Sequence, residues 1–380
     1  MAELGDLPVP DLFDEALLDD DTALHAADPW LRHLAETGAR IRREASAATT
    51  AVDELARRGT QGELARPRAL VVAGTDARLL RAVLEPWCPV PLVAWPSAGL
   101  PGWAGPLDLV VVLAPTGGAE DEIATVAEAR RRGCELVVLA PAGQPPGTMA
   151  TGRDVTLLPA VTGDPLASAV VALRLIHCYG IGADVSAEDV AADLDAVALR
   201  CAPDRDTATN PAKQLALALA DAVPLVWGGS VLAARAARRV AEALRGACGR
   251  PALAADARHL LPILQAVAPM DLFADPFTDV LPVERRPVLI VLDDGASPEA
   301  AVVQRQRLEA VADARGVRVA EVRHVDRRPE GGPEPVPVAR YASLQAAGTW
   351  AAVYLAVGLG RLSARAPAGP PGNPSGERRS

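Results

Sequence analysis

The stretch Asp108 to Glu122, DLVVVLAPTGGAEDE, constrains the fold more than any other part of the chain. Leu109 to Leu113 form an apolar run with no polar face, the pattern of a strand buried on both sides. The run ends in a loop of small residues, Ala114 to Gly118. That loop leads into Glu120, Asp121 and Glu122, the composition of a helix start. A strand that feeds a helix through a glycine loop is how α/β proteins build anion sites, because unpaired N–H groups and the positive end of the helix dipole face the loop. The stretch therefore predicts a parallel sheet and the place of a ligand. Thr116 has two readings here, as an anion contact or as the cap of the following helix.

The same alternation extends to both sides. Residues 9–65 read as helices, with Asp11 and Asp28 as candidate caps. Strands are predicted at 68–74, 90–95, 109–113 and 135–141, with helices at 76–87 and 120–133 and an edge strand at 153–160. Two helices, 164–179 and 187–201, precede a second block. That block has helices at 211–222, 230–247 and 298–316 and strands at 223–229, 286–294 and 317–325. A loop, 327–337, and a closing helical region, 338–360, follow. Strands alternating with helices of about a dozen residues indicate doubly wound parallel sheets. The two blocks look like an internal duplication. The Pro-, Gly- and Ser-rich tail 366–380 is expected to be disordered.

Composition narrows the function. Half of the 380 residues are apolar but only 3% are aromatic, so Ala, Leu and Val carry the core. The formal net charge is −10 and Lys213 is the one lysine. With no basic run, nucleic acid and anionic membrane are excluded as partners. No apolar run reaches the roughly 18 residues of a membrane span, and the acidic start lacks the basic and apolar regions of a signal peptide. A cytoplasmic protein is expected. Cys88, Cys134, Cys178, Cys201 and Cys248 show no CxxC pairing and read as reduced thiols. His25, His33, His177, His259 and His324 lie far apart, so no metal motif and no cofactor is expected.

At NPAKQLALALADAVPLVWGGS, Asn210 to Ser230, the chain resembles the second half of the bifunctional phosphoglucose/phosphomannose isomerases, which are built from two sugar isomerase (SIS) domains. It is more closely similar to the divergent, TobH-like branch of SIS proteins through LPGWAGPLDLVVVLAPTGG (100–118), GCELVVLAPAG (133–143), DLFADPFTD (271–279) and TWAAVYLAVGLG (349–360). The resemblance spans roughly residues 25–361. It implies an α/β protein with two SIS-type domains, each a parallel doubly wound sheet flanked by helices, with extra N- and C-terminal helices. The expected boundaries are an N-terminal helical region 1–65, SIS-like domains 66–163 and 211–326, a helical connector 164–210, a linker with C-terminal helices 327–365, and the tail. It also implies a homodimer and a phosphorylated sugar, a hexose 6-phosphate, as ligand.

The family's Ser-Tyr-Ser-Gly-Asn-Thr-Glu-Glu loop, which holds the sugar phosphate, corresponds to Ala114 to Asp121. Thr116 keeps one hydroxyl, Gly117 keeps the tight turn and Gly118 follows it. The earlier Gly-x-Gly-Gly-Ser loop corresponds to Ala73-Gly74-Thr75-Asp76, which brings in a carboxylate. The Thr-Ser-Gly-Gly turn corresponds to Ala140 to Gly143, without hydroxyls. The resemblance thus implies substrate contacts at Gly74, Thr116, Gly117 and Gly118. Lys213, in the first turn of its helix, is a candidate phosphate or oxyanion contact, and its bland reading is a solvated surface lysine.

An aldose–ketose isomerase also needs an acid/base for ring opening and a carboxylate to move the C2 proton. In register with the family's catalytic glutamate stands Arg245-Gly246-Ala247-Cys248-Gly249, which has no carboxylate. Glu242, one turn away, and Asp256 are the candidate bases. Glu242 reads equally as the partner of Arg238 in an i,i+4 pair, and Asp256 as a helix cap. His259 stands in for the family's ring-opening histidine, which acts across the subunit interface, or is a surface or packed residue. Phe273 and Phe277 are expected in the core or a dimer contact. Three readings follow: a sugar-phosphate binder with degraded catalysis, a working isomerase with a relocated base, and a structural partner whose cleft is closed by Leu113, Pro115 and Phe273.

Overall fold

The structure, a computed structural model, describes residues 12–152, 154–268, 285–296, 298–324 and 336–362. In chain order the elements begin with helices α1 (Asp21–Ala35) and α2 (Thr37–Thr60), strand β1 (Leu70–Gly74), α3 (Ala77–Leu84), β2 (Leu92–Trp95) and β3 (Leu109–Leu113). They continue with α4 (Glu120–Arg132), β4 (Glu135–Ala140), β5 (Val155–Pro159), α5 (Pro165–Cys178), α6 (Ala187–Arg200) and α7 (Pro211–Leu219). The last are β6 (Val223–Gly228), α8 (Val231–Cys248), β7 (Leu253–Ala254), α9 (Ala257–Ala266), β8 (Pro287–Asp293), α10 (Glu299–Ala314), β9 (Arg318–Arg323) and α11 (Pro337–Gly358). The chain forms two compact units. The first takes in the described residues of Glu36–Asp195 and Arg327–Ala342, and the second those of Met1–Ala35, Ala196–Asp326 and Ser343–Ser380.

The first unit is built on a parallel sheet of order β2-β1-β3-β4-β5. All five residues of β3 are fully buried, as a strand covered on both faces must be. Val71, Val110, Val112, Leu136 and Val138 pack on one face against Val126 and Ala129 of α4. On the sheet's other connections, α5 lies against β3 and α2 against the edge strand β5. Helix α2 is anchored by charge as well as by apolar contact. Glu44, fully buried, accepts from the Val161 and Thr162 amides at 3.1 and 2.9 Å and from the Ser168 hydroxyl at 3.2 Å. Arg40 pairs with Asp164 at 2.7 Å, and Asp164 caps α5 through the Leu166 and Ala167 amides. These bonds fix the loop after β5, where Gly163 lies beside Thr116. A Leu113→Ala substitution is expected to destabilise this unit by about 2–5 kcal/mol, the range for emptying a buried leucine site, read from urea denaturation.

The second unit holds a parallel sheet of order β7-β6-β8-β9. Leu225, Trp227, Leu289 and Val291 form its core with Leu260 and Leu264 of α9 and Leu308 of α10. Trp350 and Tyr354 of α11 are buried and stacked, with centroids 6.0 Å apart.

Several expectations need correction. Asp28 does not cap a helix: α1 begins at Asp21, the Asp20 carboxylate accepts from the Ala23 amide, and Asp28 pairs with Arg32 inside the helix. The two-residue strand β7 was not expected, because it is too short for any periodicity to register. The strand predicted at 68–74 begins at Leu70, and Arg68 before it pairs through its guanidinium with the buried Asp108 at 2.6 Å. Asp11, Phe273, Phe277 and the tail lie outside the described residues.

Candidate functional site

In an open parallel sheet a ligand binds beyond the carboxyl ends of the strands, where the chain reverses its direction of winding. The order β2-β1-β3-β4-β5 puts this point between β1 and β3, and the order β7-β6-β8-β9 puts a second between β6 and β8. Each unit therefore has one crevice to compare.

In the first unit the crevice is framed by Gly74-Thr75-Asp76 after β1 and Ala114 to Gly118 after β3. Gly74 has φ +85°, and a Cβ there would collide with the carbonyl oxygen of Leu113. The Thr75 amide donates to that same carbonyl at 2.9 Å. Asp76 has φ 58°, and among the described residues it is the one non-glycine in the left-handed region, a strain that tends to gather at functional sites. Across the crevice, the Gly117 amide donates to Ala114 at 3.1 Å and the Gly118 amide to Pro145 at 2.9 Å. These two N–H groups hold the loop in shape and are not ligand donors. The free donors come next. Helix α4 has Ala119 at its cap position with no side-chain cap, and the amides of Ala119, Glu120, Asp121 and Glu122 donate to no acceptor among the described residues. Thr116 is exposed, its hydroxyl makes no hydrogen bond among the described residues, and it stands outside the helix rather than capping it. A hydroxyl and four N–H groups at the positive end of a 13-residue helix suit an oxyanion.

The second crevice has the same frame but is already filled. Gly228, Gly229 and Ser230 lead from β6 into α8, and Ser230 caps the helix by accepting from the Ala233 amide at 2.9 Å. The Ser230 hydroxyl donates at 2.6 Å to Asp294, a carboxylate only 1% exposed at the end of β8. Asp294 also accepts from the Ala296 amide at 3.3 Å. A carboxylate of the protein thus occupies this position. Sequence reading passed over Ser230 and Asp294, although Gly-Gly-Ser directly after an apolar strand repeats the pattern of the first block.

The other predicted residues do not converge. Glu242 lies eleven residues into α8, about 16 Å along the axis from the crevice end, and pairs with Arg239 at 2.9 Å rather than with Arg238. Asp256 and His259 are both exposed at the start of α9. Asp256 occupies the cap position without a side-chain cap bond and lies 3.8 Å from Arg258. Lys213 is not a solvated surface residue: its side chain is completely buried. Its ammonium donates to Asp19 at 2.7 Å and to the Pro203 and Arg205 carbonyls, both at 2.9 Å, and lies 5.6 Å from the centroid of the Tyr354 ring. Asn210 caps α7 through the Ala212 and Lys213 amides. A groove of about 690 Å³ in the second unit is lined by Asp19, Asp21, His25, Asp28, Asp204 and Asp206, an acidic wall that repels phosphate.

The described cysteines are free. Burial pushes the Cys248 thiol up to about 11 and the Cys201 thiol up to about 12, so neither is a ready nucleophile. Among the described residues no group of three His, Cys, Asp or Glu side chains is placed to hold a metal ion, and no helix is long and apolar enough to cross a membrane.

The fold follows from these features: parallel α/β sheets flanked by helices, as in solved phosphosugar isomerases. Residues 208–363 match the family described as the bacterial phospho-glucose isomerase C-terminal SIS domain. Among solved structures, the chain is similar to the tagatose-6-phosphate ketose/aldose isomerase of Escherichia coli, with 13% identity, coverage of 93% of this chain and 97% of that one, and a TM-score of 0.60. It is also similar to the C-terminal domain of glucosamine-fructose-6-phosphate aminotransferase from Francisella tularensis, with 12% identity, coverage of 87% and 96%, and a TM-score of 0.58. At these identities the likeness is one of fold. No curated protein matches the chain in sequence.

Proposed function

We propose that the chain binds a hexose 6-phosphate in the crevice between β1 and β3 and has lost isomerase chemistry. In this reading it is a cytoplasmic, homodimeric member of the TobH-like branch. The observation that carries the proposal is the unequal state of the two crevices. The first offers the Thr116 hydroxyl and the unused amides of Ala119 to Glu122, with Gly74, Gly117 and Gly118 shaping the turns. The second is closed by Asp294. Loss of catalysis is supported by the candidate base Glu242, which stands about 16 Å along α8 from its crevice and is paired with Arg239. It is supported also by Arg245 to Gly249, which lack a carboxylate in the family's register.

The SIS fold and the sugar phosphates named for its structural relatives support the ligand class. Two measurements test the reading. Mannose 6-phosphate or glucose 6-phosphate is expected to raise the melting temperature, with a stabilisation of about 2.7 kcal/mol at a hundredfold excess over Kd. A coupled assay with fructose 6-phosphate is expected to show no turnover. Turnover that disappears in Asp256→Asn or His259→Gln would replace the binding reading with that of a working isomerase.

A further inference from the structure

Glu122 Oε2 and Trp95 Nε1, on helix α4 and strand β2 of the first unit, are shielded from solvent and make no hydrogen bond among the described residues. Buried acceptors and donors are nearly always paired, so an orphan of each kind requires an explanation. Both are found at the same end of the sheet and on the same face. Trp95 is the last residue of β2, in register with Ala73, one residue before the Gly74 turn. It packs on the face that carries Val71, Val110 and Val112, the face covered by α4. Glu122 is in the first turn of α4, and its Cγ lies 3.2 Å from where a Gly74 Cβ would stand. Unlike Glu120 and Asp121, which are exposed, it is turned inward to the crevice wall. Among the described residues Glu122 Oε2 is the buried carboxyl oxygen with no donor.

We propose that Glu122 and Trp95 recognise the sugar end of the ligand whose phosphate the α4 amides and Thr116 hold. This rests on the reading in the preceding section. Glu122 accepts from a ring hydroxyl or a ring ammonium, and Trp95 donates to a sugar oxygen. The pair explains how a crevice with one hydroxyl in its phosphate loop distinguishes a phosphosugar from phosphate alone. An acid beside a phosphate site is tolerable when it faces the ligand's donors rather than its dianion.

The test is calorimetric titration of wild type, Glu122→Gln and Trp95→Phe with inorganic phosphate, glucose 6-phosphate and glucosamine 6-phosphate. Glu122→Gln is nearly isosteric and Trp95→Phe keeps an aromatic ring while removing the N–H, and retained folding is checked by thermal melting without ligand. Glu122→Gln is expected to weaken both sugar phosphates about 10- to 100-fold, the span for a hydrogen bond to a charged group, and Trp95→Phe about 3- to 10-fold, the span for a neutral one. Phosphate affinity should change by less than about twofold, because neither side chain contacts it and the Glu122 backbone amide is kept in the variant. A larger loss for glucosamine 6-phosphate identifies the donor as the ammonium, and an equal loss identifies it as a hydroxyl.

Unchanged sugar affinity in both variants overturns the recognition pair and leaves phosphosugar binding standing. So does an equal loss of sugar and inorganic phosphate, which marks a merely structural role. Failure of the wild type to bind any of the three at millimolar concentration overturns both readings.

Discussion

A Gly74→Ala variant is expected to lose about 3 kcal/mol of stability and, with it, the hexose 6-phosphate response. Two effects add. The left-handed backbone at φ +85° is easy for glycine and costs an alanine about 1–2 kcal/mol. The new Cβ also meets the Leu113 carbonyl oxygen, which cannot yield because the Thr75 amide is bonded to it at 2.9 Å. Forcing an atom into such a contact costs about 1–3 kcal/mol more. Gly99 provides the control. It has φ +72°, and a Cβ there meets nothing within 4 Å. Gly99→Ala is expected to show the backbone effect alone, about 1 kcal/mol. Urea denaturation measures both, and a Gly74→Ala variant no less stable than Gly99→Ala would contradict the close approach of β1 and β3.

Lys213→Met is expected to have the other large effect, about 2–4 kcal/mol of destabilisation with no change in phosphosugar affinity. The substitution keeps the side-chain volume but removes three hydrogen bonds and the cation beside the Tyr354 ring. The Pro203 and Arg205 carbonyls lose their donor, and Asp19 loses its counter-charge. Asp19 is 53% exposed, so water recovers part of its loss, and for that reason the estimate stays below the full value for breaking a buried pair. The Lys213 hydrogen bond holds the Asp19 carboxyl below the usual carboxylate range. A lowered folded-state pKa contributes stability that is present above the unfolded value, about 3.9, and is lost as pH falls through the folded one. The stability difference between wild type and Lys213→Met should therefore narrow in acid by the Asp19 share, while the part carried by the Pro203 and Arg205 carbonyls remains. A variant of normal stability but weakened phosphosugar binding would instead assign Lys213 to the ligand.

The fold was legible because its signals are local. The five apolar residues of β3, the Gly117 turn and the acids of α4 are written in consecutive positions, and the structure places their boundaries within a residue or so. The elements misread were those decided by partners far along the chain. Asp28 resembles a cap before Pro29, but Asp20 takes that role more than two turns upstream. Lys213 resembles a surface lysine because burial of its ammonium depends on Asp19 and on the carbonyls of Pro203 and Arg205.

The candidate site was half legible for the same reason. The position of the crevice follows from strand order, which alternation implies. Its closure in the second unit depends on Ser230 meeting Asp294, 64 residues away. The inward turn of Glu122 depends on its approach to Gly74, which no spacing rule carries.

The most direct test of the account is amide NMR or hydrogen exchange of the whole chain titrated with mannose 6-phosphate. The account predicts shifts or protection concentrated at Gly74 to Asp76 and at Thr116 to Glu122, with Gly228 to Ser230 and Asp293 to Ala296 unchanged. Perturbation at the second pair of loops with none at the first, or no perturbation at millimolar ligand, would contradict it.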